Sequence, residues 1–232
     1  MSSFTNNLGS AVSARTTANR DLITLPYYMK WLAQGKIFEA GHSLQTDGDD
    51  SQGEASVTPD DVKATWALQA PPDGNTLVIP LQFKAMWEAE GGAATDYQLI
   101  FTRAADAMGV TLGLSGRAMA AKNCLYAANP IKNTAKASPL YGVATTFLLT
   151  VSALDTADDC VMYDFTAMSD NNVAASKGTI AVQQREYNWL ETAVPHIMSS
   201  GAAMIFYCSS GTSDAVLHPY IMWAEVTIDD LL

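Results

Sequence analysis

The chain has 232 residues, a length that suits one all-β sandwich domain. Hydrophobic residues make up 48% of it and charged residues only 16%, so much of its surface is suited to burial between subunits. The formal net charge of −11 disfavours direct binding of nucleic acid, whose phosphates need Lys and Arg partners, and of anionic membrane surfaces.

Residues 1–24 are polar and poor in hydrophobes, a composition that on its own predicts disorder. Such an arm becomes ordered when something holds it in place. We expect an ordered N-terminal arm that is tied down by a neighbouring subunit. An arm that lies on its own domain is the alternative.

A short helix is predicted directly after this arm. Thr24 can cap it, Pro26 falls near its first turn and Gly35 can end it. Tyr27 and Trp31 share one face, which would place an aromatic plug against a sheet. An extended segment is the alternative. Residues 1–35 therefore form the predicted arm and short helix.

From Lys36 onward the hydrophobic pattern has period two, which is typical of strands with one buried face. In the clearest run, one strand face carries Leu77, Ile79, Leu81, Phe83, Ala85 and Trp87. Pro80 lies inside this run and cannot donate a ladder hydrogen bond. The sequence therefore predicts a sheet edge or a β-bulge at Pro80.

Further strands are predicted on both sides of the chain's midpoint, in 62–69, 97–102, 141–151, 161–165, 180–182, 203–208 and 217–228. The last two are apolar on both faces, which predicts central positions in a sheet or a face covered by a partner. The total is about eight or nine strands. We therefore predict an all-β fold, an antiparallel β-sandwich of jelly-roll type, over residues 36–232.

The stretch 104–140 differs from the rest because it is long, rich in Ala, Gly and Asn, and weakly periodic. A short helix over 117–126 is the best-defined element expected in it. Long connections inside a compact domain are usually functional or form interfaces. We expect this one to contribute to contacts between subunits.

Three cysteines, Cys124, Cys160 and Cys208, lack the spacing of a zinc site or a disulfide framework. Reduced and mostly buried thiols are expected, as in a protein assembled in a reducing cytoplasm, and one disulfide is the alternative. No run approaches the roughly 18 apolar residues of a membrane span, so we expect no membrane insertion.

Two acidic loops are candidates for calcium. In the loop at 47–50, Asp47, Asp49 and Ser51 have EF-hand spacing, but Thr58 stands where the bidentate Glu belongs. The loop at 155–159 carries three aspartates. Solvated turns are the expected structure for both loops, so no metal ligand is assigned, and calcium sites are the alternative.

No catalytic, cofactor-binding or metal-ligating residue is predicted, and the protein is not expected to be an enzyme. His42, His196 and His218 show no metal-ligand spacing, and neither a P-loop nor a nucleophile motif is present. A β-sandwich hydrolase with two carboxylates in a cleft is the enzymatic alternative. Trp189 follows a polar segment and is the tryptophan expected to be exposed.

Two parts of the chain carry a resemblance to a known class of protein. One is Ala70-Pro71-Pro72-Asp73-Gly74-Asn75-Thr76 and the strand that follows as far as Glu88; the other is the pair 198–208 and 220–225. Together they resemble jelly-roll capsid-type structural proteins of environmental bacteriophages, over about 36–232.

The resemblance implies a viral structural protein, a capsid or virion shell subunit without catalytic residues. It would self-assemble in the host cytoplasm through arm and loop contacts, with copies of itself and with other virion proteins as partners. A carbohydrate- or receptor-binding β-sandwich, such as a fibre head or a lectin-like module, is the alternative.

Overall fold

A computed structural model of the chain describes residues 3–5, 11–13, 27–41, 51–52, 63–89, 95–102, 114–125, 135–141, 149–151, 160–164, 184–188, 196–210 and 216–231. These residues contain the helices α1 (Tyr27–Ala33) and α2 (Ile228–Leu231). They also contain the strands β1 (Ser3–Thr5), β2 (Ala11–Ser13), β3 (Ile37–Gly41), β4 (Ser51–Gln52), β5 (Lys63–Ala64), β6 (Trp66–Gln69), β7 (Leu77–Ala89), β8 (Thr95–Thr102), β9 (Leu114–Ser115), β10 (Arg117–Ala118), β11 (Lys122–Asn123), β12 (Ser138–Tyr141), β13 (Leu149–Val151), β14 (Cys160–Asp164), β15 (Gln184–Asn188), β16 (Ala203–Ser210) and β17 (Val216–Val226).

Two antiparallel sheets make up most of the structure. The first sheet has the order β11-β3-β17-β7-β15, with β4 also paired to β17, and the second has the order β10-β12-β6-β16-β8-β14. A β1-β2 hairpin and a small β5-β13-β9 sheet complete the described strands. The prediction of an all-β antiparallel sandwich is therefore confirmed.

The hydrophobic core lies between the two sheets and is rich in aromatic rings. Phe38, Phe83 and Trp223 come from the first sheet, and Trp66 and Phe206 from the second; all five are at most 2% exposed. The Phe83 ring lies 4.8 Å from that of Trp66 and 5.1 Å from that of Phe206. Ring contacts between the sheets thus add to the burial of apolar area that holds the sandwich together.

Strand β16 is buried on both faces and lies inside its sheet, between β6 and β8. Met204 and Phe206 point into the core between the sheets, whereas Ile205 and Tyr207 belong to a second buried cluster. Strand β17 likewise lies inside the first sheet, between β3 and β7. The prediction that these doubly apolar segments are central strands is confirmed.

A β-bulge lies beside Pro80, as predicted. Gln82 is opposite Met222 on β17, but Pro80 is opposite the next residue, Trp223, so Leu81 is an extra residue on β7. Pro80, which has no backbone N–H, thereby lies where the regular hydrogen bonding between β7 and β17 is interrupted. Strand β7 is nonetheless an interior strand, between β17 and β15.

The bulge also places the residues of the 77–87 run on two different faces of the sheet. Ile79 and Leu81 pack in a cluster on the outer face of the first sheet, whereas Phe83 and Ala85 lie in the core between the sheets. One inserted residue reverses the alternation, because side chains change face with a period of two. The prediction that all these residues share one face is therefore wrong.

The helix expected over 117–126 is absent from the described residues of that segment. Arg117 and Ala118 form β10 against β12, and Lys122 and Asn123 form β11 against β3. Pairing with open strand edges overrides a weak local preference for helix.

Several predictions fall outside the residues that the structure describes. They concern Thr24, Pro26, the strand at 180–182, most of the arm 1–24 and the loop part of 104–140. Across the described ranges no helix is both long enough and apolar enough to span a membrane.

Candidate functional site

A largely apolar pocket lies between helix α1 and the outer face of the first sheet. Its volume is about 450 Å³, and it is lined by Tyr28, Met29, Leu32, Ile37, Glu39, Leu81, Gln82, Cys124, Asn188 and Met222. Helix α1 therefore forms one wall, and strands from across the sheet form the floor.

Strand register brings the polar part of the floor together. Glu39 on β3 is opposite Met222 on β17, Met222 is opposite Gln82 on β7, and Gln82 is opposite Asn188 on β15. Four strands thus place these side chains at one level across the sheet. A row of this kind runs perpendicular to the strands.

Trp31 fixes helix α1 to the sheet. Its side chain is 2% exposed and packs with Ile37, Ile79 and Ala224. The predicted short helix and the contact of Trp31 with the sheet are confirmed, whereas the side chain of Tyr27 lies outside the described residues. On the pocket side, Tyr28 is 38% exposed, so one wall of the pocket reaches the surface.

The end of α1 is held by a glycine and an asparagine. Gly35 has φ of +70°, the left-handed conformation that ends many helices. The Asn123 Nδ2 group donates to the Gly35 carbonyl at 2.7 Å, and the Asn123 Oδ1 atom accepts from the Leu125 amide at 2.7 Å. The buried asparagine thereby links β11 to the helix terminus.

Two polar groups inside the pocket have defined chemistry. The Tyr220 hydroxyl donates to Glu39 Oε2 at 2.9 Å, which orients the carboxylate. Burial, with a smaller contribution from the Glu39 charge, raises the pKa of the Cys124 thiol to about 12. Cys124 is therefore a protonated thiol near neutral pH rather than an activated nucleophile.

A second polar feature joins the two sheets. Glu225 on β17 is 8% exposed, and Oε1 accepts from the amides of Lys136 and Ala137, each at 2.8 Å, and from Trp223 Nε1 at 3.0 Å. These amides directly precede β12, so one carboxylate ties β17 to the long connection between β8 and β14. We call this group the Glu225 clasp.

His196 is the histidine whose surroundings the structure describes. Its ring stacks on that of Phe101 with centroids 3.9 Å apart and planes 9° apart. Burial lowers the pKa of His196, which favours the neutral ring in this stack near pH 7. The ring acts as a packing element beside Tyr187, at 6.3 Å.

Several candidates from the sequence lie outside the described residues: the loops at 47–50 and 155–159, His42, Trp189 and the side chain of His218. Among the residues with described side chains, no three His, Cys, Asp or Glu groups come together as metal ligands. Trp66 is in the core between the sheets.

No sequence pattern indicates the pocket. Glu39 lies between the buried Phe38 and Ala40, which is the ordinary pattern of a strand with one face in solvent. Gln82 follows the bulge, so its face is shifted from the simple alternation. The pairing of four separate strands creates the site, and no local motif reports it.

Comparisons of the chain with protein-family models, with curated protein sequences and with solved structures give no match.

Proposed function

We propose that the chain is a virion shell subunit with a jelly-roll fold that assembles with copies of itself and with other virion proteins. The observation that carries this proposal is the pairing order of eight strands. In chain order they are β3, β6, β7, β8, β14, β15, β16 and β17.

The pairing order resembles a long hairpin that has been rolled up. The first strand pairs with the eighth, the second with the seventh, the third with the sixth and the fourth with the fifth. The two sheets then have the orders 1-8-3-6 and 2-7-4-5. This order supports a jelly roll, in which two Greek keys are wound together and which viral capsid proteins and lectins both use.

The connection between β8 and β14 favours a shell subunit. It is long, and its strands extend both sheets on the same side of the sandwich: β11 adds to β3, and β12 adds to β6. Long connections in compact domains usually form functional or interface surfaces. The low charge of the chain supports burial of such surfaces between subunits.

The acidic balance of the chain supports a division of roles in such a particle. With 13 Lys and Arg against 24 Asp and Glu, the chain lacks the positive charge that phosphate neutralisation needs. Genome contact would then belong to another virion protein.

The test is the native mass of the full chain by light scattering, combined with electron microscopy. We expect closed particles, or symmetric oligomers that build sheets. A monodisperse monomer at high concentration would contradict the shell role. A monomer that also binds glycans in a calcium-dependent way on an array would instead support the carbohydrate-binding alternative.

A further inference from the structure

We propose that the pocket beside α1 binds a small amphiphile with an apolar body and a neutral or cationic end that carries hydrogen-bond donors. This binding role goes beyond the shell role and does not depend on it, because α1 and strands of the first sheet supply the described lining residues.

The size and the walls of the pocket suit an apolar body. A volume of about 450 Å³ lies within the range of roughly 300–1,000 Å³ that small-molecule sites occupy. Met29, Leu32, Ile37, Leu81 and Met222 supply the apolar lining. Methionine side chains adapt to the shape of a bound molecule, so two of them allow chains of varied form.

The polar row sets the chemistry of the other end. Gln82 and Asn188 carry amides, which donate and accept hydrogen bonds, and Glu39 carries the one carboxylate among the described lining residues. Lys122 is the register partner of Glu39 on β11, but its side chain is exposed and does not line the pocket.

Glu39 selects against an anionic ligand. A carboxylate brought beside Glu39 is repelled at short range in a half-buried setting, whereas a hydroxyl or ammonium group donates to it. The formal net charge of −11 acts in the same direction at longer range. The chemistry therefore favours alcohols and amines over fatty acids.

Methionine methyl resonances provide the test. The full chain, labelled at its methionine methyl groups, is titrated with octan-1-ol, octylamine and octanoate. We expect the signals of Met29 and Met222 to shift with the alcohol and the amine. The signals of Met119 and Met204, in the core between the sheets, should stay in place and show that the fold is intact.

Octanoate is expected to bind about tenfold more weakly than octan-1-ol. In Glu39→Gln this preference should shrink to within about twofold, because the repelling charge is gone. Leu81→Trp fills the pocket and should abolish the shifts, whereas Ile197→Trp, at an exposed site outside the lining, should leave them unchanged.

Three results would overturn the proposal. The first is the absence of Met29 and Met222 shifts with all three probes. The second is an equal response of the core methionines, which would indicate unspecific action of an amphiphile. The third is octanoate binding as tightly as the alcohol to the unsubstituted chain.

Discussion

Glu225 is a buried carboxylate whose charge is matched by donors from two parts of the chain. A buried carboxylate is stable only when hydrogen bonds replace the water that it has lost. The clasp supplies two backbone amides and one indole N–H. The clasp stabilises the fold mainly because, without Glu225, these donors would be buried with no hydrogen-bond acceptor.

Replacing Glu225 with Ala should therefore lower the free energy of unfolding by about 3 kcal/mol, because three donors lose their acceptor. Chemical denaturation of the purified chain measures this change. Asp229→Ala, at an exposed position in α2, is the matched control and should change it by less than about 0.5 kcal/mol. Equal effects of the two substitutions would mean that the clasp does not stabilise the sandwich.

Asp230 links stability to acid pH. Burial raises its pKa, but an ion pair with Lys36 and hydrogen bonds from the Thr227 amide at 2.7 Å and hydroxyl at 2.8 Å outweigh this and lower it to about 2. A carboxyl with a lowered pKa in the folded state stabilises it above the unfolded pKa of about 4. That contribution is lost as the pH falls from about 4 to about 2.

Asp230→Asn should therefore reduce the loss of unfolding free energy that occurs between about pH 4 and pH 2. The reduction should be less than about 1 kcal/mol because solvent screens the pair. Denaturation curves at several pH values measure it. Asp229→Asn, next in the chain and exposed, should keep the pH dependence of the unsubstituted protein. An unchanged slope in Asp230→Asn would contradict the assignment.

At the scale of elements, α1 is held by one large side chain on one face of a seven-residue helix. Helices this short are not stable by themselves, so packing must hold α1 in place. Trp31→Ala should lower the free energy of unfolding by about 3 kcal/mol through the cavity that it leaves. Lys30→Ala, on the exposed side of α1, should have little effect, and a similar loss in both variants would argue against Trp31 as the anchor.

The sequence predicted elements well where the pattern was local and strong. Residues 203–208 are apolar on both faces, and that property alone indicated an interior strand. Gly35 marked the end of α1 because the left-handed conformation strongly favours glycine. Both signals depend on one segment and its immediate chemistry.

Prediction failed where distant pairing decided the outcome. Pro80 predicted either a sheet edge or a bulge, and only the register of β7 against β17 decides between them, so the reversal of faces could not be read from β7 alone. Residues 117–118 and 122–123 form strands because β12 and β3 offer them edges. The pocket was missed for the same reason, since its polar residues Glu39, Gln82 and Asn188 come from three separate strands that are brought together across the sheet.

At the scale of the whole molecule, the arm is the part whose role in assembly is most directly testable. Its strands β1 and β2 form a hairpin in which Phe4 is opposite Val12. Cross-strand pairs of apolar residues stabilise hairpins, so substitutions at these two positions test the role of the hairpin. Phe4→Asp combined with Val12→Asp should shift the native mass towards smaller species, as measured by light scattering.

The matched control is Asn6→Asp combined with Asn7→Asp, which adds the same two charges to the arm but leaves the Phe4–Val12 pair intact. We expect this control to assemble as the unsubstituted chain does. If both double variants lose assembly equally, charge rather than the hairpin is responsible. If neither does, the arm does not join subunits.

The pairing of β3 with β17 affects how the chain folds as it leaves the ribosome. Strand β3 is made early and pairs on one side with β11, but its partner on the other side, β17, is the last strand of the sandwich to emerge. Among the pairs β3–β17, β6–β16, β7–β15 and β8–β14, the β8–β14 pair is the first whose two strands have both been made. We therefore expect these four pairs to close outward from β8–β14, while Phe38 on β3 lacks its stacking partner Trp223 until translation is nearly complete.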